Sequence, residues 1–342
     1  MNLSGRERVL VIKPSSLGDI VHTLPAVSAL QRSFPDLSID WLVNTEWSPL
    51  LEGAPFLHRH VSFPRREFRG LGGLLRARKW GKTVLGQVGY DLALDFQGLL
   101  RSALLARLSG APVRLGFSNA REGAHVLYGN AICVQNWKEK HAVDRNRELV
   151  EFLGVETDPV EFPLPAGSPI DVPPPFSGPA LLLHPFSRGA GKSLSVTEVH
   201  ELCELVSPHP VWLVGVAGEE ATHSWPDNTW NLLNRTSIAE LIFLLRRASW
   251  IASVDSGPMH LAAAISDRVL SIHTWSNPCM VGPWPRDAWI WRESEIVQVR
   301  DLTPDRFPEH RHLRKHYEGQ DRILDEPSIA ALAEFLNTRI TE

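Results

Sequence analysis

Cysteine is scarce in this chain: Cys133, Cys203 and Cys279 are the only three in 342 residues, and they lie far apart. That spacing excludes a disulfide scaffold and a zinc ribbon, and it suits a reducing compartment. Long apolar runs are missing as well. No stretch approaches the length that spans a bilayer. The N-terminal apolar run Val9–Ile12 is four residues long and stops at Lys13, which is not the pattern of a signal peptide. Neither a G-x-G-x-x-G fingerprint nor a P-loop occurs, and no cluster of residues has convincing metal-ligand spacing. Glycine and proline, 24 and 26, are moderate and aperiodic, which excludes collagen-like and disordered chains. What remains is the expectation of a soluble, cytoplasmic, globular protein. It is too long for one core of ordinary size, so two domains are expected.

The net charge of −4 conceals two unlike halves. Residues 1–150 hold 20 lysines and arginines against 13 acids, a net +7. Residues 151–342 hold 15 against 26, a net −11. A basic half of this kind points to an anionic partner: nucleic acid, a membrane surface or an acidic small substrate.

The first half alternates short β-rich runs with helical patterns. Val9–Ile12, Ile39–Val43, Leu92–Phe96 and Val113–Phe117 read as strands. Helical patterns run through Ile20, Leu24, Val27 and Leu30, then over 71–88 and 99–108. Pro25 predicts that the first of these starts late or is kinked. Eight prolines fall within 156–179, and the chain is divided accordingly. An N-terminal Rossmann-like domain is expected over 1–160 and a proline-rich linker over 161–179. A second Rossmann-like domain over 180–325 and a final helix over 326–342 complete the division. In the second half 180–184, 211–216, 250–254 and 269–273 read as strands. Ser195 with Glu198, and Ser237 with Glu240, form capping boxes, and Leu194 and Val199 are spaced as a hydrophobic staple. Asp325 and Pro327 cap and start the last helix. Strands alternating with helices in both halves give an α/β fold with parallel sheets, in which ligands bind at the carboxyl ends of strands.

Three strand-to-helix junctions carry the chemistry. The first is Lys13-Pro14-Ser15-Ser16-Leu17-Gly18-Asp19. On spacing alone an N-cap is the commoner use of such an aspartate, and a general base facing a cleft is the other. The second is Ser187-Arg188-Gly189-Ala190-Gly191-Lys192, where glycines let backbone N–H groups approach an anion beside two cations; it fits a diphosphate cradle or a solvated loop. The third is Asp255-Ser256-Gly257-Pro258-Met259-His260, a tight turn opening a helix whose N-terminus favours a phosphate or sugar hydroxyls. His260 by itself reads as a core histidine. A basic stretch from Arg59 to Lys82, opposed only by Glu67, fits an anionic acceptor. It lacks the aromatic platform of a nucleic-acid module, so no nucleic-acid partner is expected.

Together the stretches Val11–Pro25, Phe96–Leu108, Asn119–Glu122, His141–Leu149 and Ser253–His260, in this order, resemble the ADP-heptose:lipopolysaccharide heptosyltransferases of glycosyltransferase family 9. The likeness is strongest to the heptosyltransferase I branch. The resemblance implies a GT-B fold, two Rossmann-like domains facing each other across a cleft. The first domain would bind the acceptor and the second the nucleotide sugar, with the final helix packing back on the first. It implies Asp19 as catalytic base, with Lys192 beside the leaving group. Ser187, Arg188, Lys192, Glu219, Asp255, Ser256, Gly257 and His260 become donor residues. Ser15, Ser16, Gly18, Arg65, Arg66, Arg69, Arg101 and Arg121 become acceptor residues.

The implied reaction is inverting and needs no metal or other cofactor. Its implied partners are ADP-heptose and an anionic Kdo-lipid A acceptor, with peripheral contact at the inner face of the inner membrane. Another nucleotide sugar for a surface glycan, a non-catalytic sugar-nucleotide or glycolipid binder, and a GT-B epimerase are the alternatives. Three departures from the family cluster in the donor half. No tryptophan follows Lys192 two residues on, Phe186 replaces a threonine, and Thr274-Trp275 stands where Gly-Pro is usual.

Overall fold

The computed structural model describes residues 7–341 except 69, 71, 190, 304–316, 318 and 319. The chain divides into two compact units, Met1–Pro165 and Ala166–Glu342. Part of the expected linker therefore belongs to the second unit. Ser168 N–H donates to Ala239 O at 3.0 Å, and Gly167 is pressed so close to that carbonyl that only a residue without a Cβ fits.

The first unit is a six-stranded parallel sheet. Its strands are β1 (Arg8–Ile12), β2 (Ser38–Asn44), β3 (Arg59–Phe63), β4 (Leu92–Asp95), β5 (Val113–Phe117) and β6 (Asn130–Ile132), in the order β3-β2-β1-β4-β5-β6. β1 lies at the centre, Val11 paired with Trp41 of β2 and with Leu94 of β4. Val9 to Ile12 are fully buried, which is why that run is apolar without alternation. The helices are α1 (Leu17–Val21), α2 (Leu24–Ser33), α3 (Gly73–Trp80), α4 (Leu100–Leu108) and α5 (Ala142–Glu151). Pro25 falls in the first turn of α2, where its missing N–H has no intrahelical partner to lose. The expected interruption is thus a stop after α1 and a fresh start.

The second unit repeats this winding. Its strands are β7 (Leu181–His184), β8 (Val211–Leu213), β9 (Thr229–Asn231), β10 (Trp250–Val254), β11 (Val269–Ile272), β12 (Trp289–Arg292) and β13 (Glu295–Gln298). They are ordered β13-β12-β11-β10-β7-β8-β9, all parallel except the β12–β13 hairpin. β8 ends before Val216 because the chain turns at Gly215, whose φ of +132° lies outside the range of ordinary side chains. The helices are α6 (Val196–Leu205), α7 (Ile238–Arg247), α8 (Gly257–Ala263), α9 (Pro278–Val281) and α10 (Glu326–Ile340). Both capping boxes form as expected.

The final helix contributes to the core of the second unit. Ile329, Leu332, Leu336 and Ile340 of α10 are buried in the second unit's own core, with Val199 and Leu202 of α6. Glu198, fully buried, locks its approach by accepting from Ile323 N (2.6 Å) and Leu324 N (2.5 Å) as well as capping α6.

Both sheets reverse winding direction next to their central strand, between β1 and β4 and between β7 and β10. The loops after those strands diverge there and leave a crevice at the carboxyl ends. All three junctions singled out in the sequence emerge at these two points.

Candidate active site

In the first unit, Lys13 leaves β1 almost buried and its Nζ donates to Phe96 O after β4 at 2.9 Å, tying together the two strands at the crevice. Asp19 is not the N-cap of α1. Ser16 is, and Asp19 is its capping-box partner, Oδ2 accepting from Ser16 N (3.0 Å) and Ser16 Oγ (2.7 Å). Oδ1 lies 3.8 Å from Lys13 Nζ, and the side chain is about half exposed (48%). Ser15 N donates to Gln97 Oε1 at 3.3 Å.

Beneath Gln97 lies Asp95, fully buried at the end of β4. Its Oδ1 accepts from Gln97 N (2.9 Å) and Gly98 N (3.2 Å), and Oδ2 accepts from the Tyr128 hydroxyl (2.6 Å). Burial raises the Asp95 pKa against the pull of those donors. Gly116 makes room for Tyr128, since a Cβ there would stand 2.4 Å from its ring.

A cavity of about 210 Å³ opens over this floor, lined by Ser15, Gln97, Phe63, Arg65 and Arg101 among others. Of the expected acceptor residues, Ser15, Arg65 and Arg101 meet there. Ser16 is exposed at the helix start, Gly18 is buried in α1, and Arg66 and Arg121 are exposed outside the cavity lining. Arg69 lies outside the described residues.

In the second unit, Lys192 reaches across the switch point to Asp255 at the end of β10. Its ammonium bonds Asp255 Oδ2, which also accepts from the Ser276 hydroxyl. Burial alone would raise the Asp255 pKa. His273, Lys192 and His260 outweigh it and hold the carboxyl near 2. The Trp275 ring centroid is 4.7 Å from Lys192 Nζ, close enough for a cation–π contact. An aromatic ring thus meets this lysine from the loop after β11, although none follows it in sequence. Ser276 is held in turn by His273 Nδ1 (3.2 Å) and, through its carbonyl, by the buried Arg292 (2.7 Å). Burial lowers the pKa of His273 to about 4, and likewise that of His184, whose Nδ1 meets Ser253 Oγ at 3.2 Å and Ser256 Oγ at 3.3 Å. Both imidazoles are neutral at pH 7.

Ser187 and Arg188 line a cavity of about 340 Å³ beside this cluster's loop, whose shape is set by Ser193 Oγ bonding both the N–H and the carbonyl of Ser187. Ser256 holds the N-cap position of α8 with its hydroxyl turned to His184 and the Val254 carbonyl, Gly257 is the first residue of the helix, and His260 is half-buried within electrostatic reach of Asp255. Glu219 is exposed on the turn after β8 and takes no part in the cluster. The acid that folds back there is Glu220, accepting from Gly218 N at 2.7 Å.

Sequence reasoning gave no site role to Lys13 or Trp275, though both were noticed, and missed Asp95, Tyr128, Ser276, His273 and Arg292. Asp95 carried the signal that flagged Asp255, a carboxylate ending an apolar strand. Among the described residues no group of three His, Cys, Asp or Glu side chains is arranged to hold a metal ion, and no helix is long and apolar enough to cross a membrane.

The sequence pattern described as glycosyltransferase family 9 (heptosyltransferase) matches residues 78–303. Lipopolysaccharide heptosyltransferase 1 of Pseudomonas aeruginosa is 33% identical over 300 residues, covering 82% of each chain. Among solved structures, E. coli heptosyltransferase WaaC with ADP superposes with a TM-score of 0.69 at 24% identity, over 87% of this chain and 97% of that one. E. coli ADP-heptose LPS heptosyltransferase II does so with a TM-score of 0.68 at 20% identity, over 91% and 100%.

Proposed function

The chain belongs to glycosyltransferase family 9, a family of GT-B heptosyltransferases, and from that membership we propose that it transfers a heptose from ADP-heptose to a Kdo-bearing acceptor of the lipopolysaccharide inner core. The relatives named lipopolysaccharide heptosyltransferase 1 support heptose as the transferred sugar and lipopolysaccharide as the acceptor class. The observation that carries the reading is the Lys192–Asp255 pair at the second switch point, a cation held in place beside a serine- and glycine-rich loop.

In the proposed reaction the acceptor hydroxyl attacks the anomeric carbon from the face opposite the diphosphate. Asp19 takes its proton. Ser16 holds Oδ2 of this carboxylate, and Lys13 Nζ lies 3.8 Å from Oδ1. The bond from the anomeric carbon to the diphosphate oxygen breaks, and the configuration inverts. Lys192 and Arg188 meet the charge that grows on the leaving group, the part a divalent ion plays in other transferases. Arg65 and Arg101 at the first cavity receive the phosphates and carboxylates of the acceptor.

A thermal-shift panel of ADP- and UDP-sugars followed by product analysis with a Kdo-lipid acceptor tests this. Stabilisation by ADP-heptose and a heptosylated product are expected. In Asp19→Ala, transfer should fall roughly 10²–10⁴-fold, the range for losing a general base, while the ADP-heptose shift persists. Retained turnover in that variant sinks the base assignment, and stabilisation by a UDP-sugar alone sinks the donor.

A further inference from the structure

α3 and the turn after it carry a surface that the acceptor cavity does not use. Leu75, Arg78, Lys79 and Lys82 recur at i, i+3, i+4 and i+7, so they form one stripe along this element. All four are exposed, Leu75 at 70%. The opposite face is the packed one. Trp80 lies 5.2 Å from the ring of Phe63 and 6.0 Å from that of Phe68, while Gly81 and Leu85 are buried. Among the described residues no carboxylate pairs with Arg78, Lys79 or Lys82. Between Arg59 and Lys82 the chain holds eight cations and one acid.

We infer that this stripe docks the first unit on an anionic lipid bilayer. A leucine flanked by long cationic side chains matches the layered chemistry of a headgroup region. The leucine enters the acyl boundary while the cations stay at phosphate depth. The stripe is also coupled to the cavity, because Phe63 lines the cavity and meets Trp80 edge-to-face behind the stripe. The inference rests on the glycolipid acceptor proposed above. A substrate whose acyl chains stay in the membrane must be met at the surface, and α3 holds the cavity there.

The test measures co-sedimentation of the full chain with phosphatidylcholine vesicles and with vesicles containing phosphatidylglycerol. It compares the parent with a variant carrying Arg78→Gln, Lys79→Gln and Lys82→Gln. Each cation near such a surface is worth roughly fivefold in partitioning, so the variant should bind the anionic vesicles about a hundredfold more weakly. Leu75→Gln should bind several-fold more weakly, and high salt should release the parent. The triple variant should keep turnover on a water-soluble, acyl-free Kdo acceptor and lose at least tenfold on the same acceptor anchored in vesicles. Equal partitioning of parent and triple variant overturns the inference, as does equal binding of the parent to both vesicle types. Binding to duplex DNA with none to vesicles also overturns it. A parent that transfers to neither acceptor refutes the donor and acceptor reading, while the vesicle comparison still decides the role of α3.

Discussion

Replacing Asp255 with asparagine removes one charge from the Lys192 cluster and little volume, so its effect can be worked from the carboxyl itself. Asp255 is held near 2 in the folded chain, against 3.8 for an unperturbed aspartate. That depression corresponds to about 2 kcal/mol, an upper bound at neutral pH, because the His273 share of it is present only below about pH 4, where that imidazole is charged. The sign is that of a lowered carboxyl. The contribution is complete above about 3.8 and disappears as pH falls through about 2. Asp255→Asn should therefore lower the unfolding free energy of the second unit at pH 7, by no more than about 2 kcal/mol. For a unit of this size that is roughly 4–8 °C in Tm. Urea unfolding followed by tryptophan fluorescence, repeated between pH 7 and pH 3, reads the difference directly. Parent and variant should stay a constant distance apart down to about pH 4 and then converge. A difference that is absent at pH 7, or unchanged at pH 3, refutes the claim that the surrounding cations outweigh burial at this carboxylate.

Gly116→Ala puts a Cβ 2.4 Å from the Tyr128 ring. The ring must leave and its bond to buried Asp95 must break, so denaturation should show a loss of about 2–5 kcal/mol in the first unit. Tyr128→Phe leaves Asp95 Oδ2 without its hydroxyl donor and should lose about 1–3 kcal/mol in the same assay, without a steric clash. Trp275→Leu removes the ring over Lys192, an interaction of about 1 kcal/mol, so kcat should fall roughly fivefold and Trp275→Phe should recover most of it. Equal kcat values for the two variants would deny the ring a role. Ser195→Ala removes the cap accepting from Glu198 N and should lower the stability of the second unit by about 1 kcal/mol.

The central strands were readable because burial on both faces leaves an uninterrupted apolar run, as in Val9–Ile12 and Leu181–Leu183. Edge strands obey no such rule. β3 alternates exposed and buried positions and starts inside the basic stretch, while β6 and β9 are three residues long. The β12–β13 hairpin turns through Glu293 and Ser294, both at positive φ, where a glycine or asparagine would have announced the turn. Capping boxes were legible because their partners lie three residues apart. The site's supporting residues were not, because their partners are remote in sequence. Lys13 acts on a carbonyl 83 residues away, and Ser276 on a carboxylate 21 residues back. Asp19 shows the same limit at short range. Its type and position pointed to a cap, and only the φ and ψ of Ser16 show that it serves as the partner of one.

The opposite charges of the two halves now have separate physical meanings. At physiological salt a field spread over a domain is screened beyond about 8 Å, so a net −11 in the second half does little to repel a diphosphate that reaches Lys192. What the proposed donor site needs is one cation whose position and charge are assured at contact distance. A half-buried lysine clamped between Asp255 and Trp275 supplies that in the proposed site, even inside an acidic unit. The first half faces the opposite demand. Its proposed acceptor is large, multiply charged and anchored in a surface that is itself negative, so many exposed cations acting together are worth more than one that is placed exactingly. Arg65 and Arg101 at the cavity and the α3 stripe outside it answer that demand at two distances. On these proposals the excess of +7 is the sum of a binding site and the surface that brings its substrate within reach.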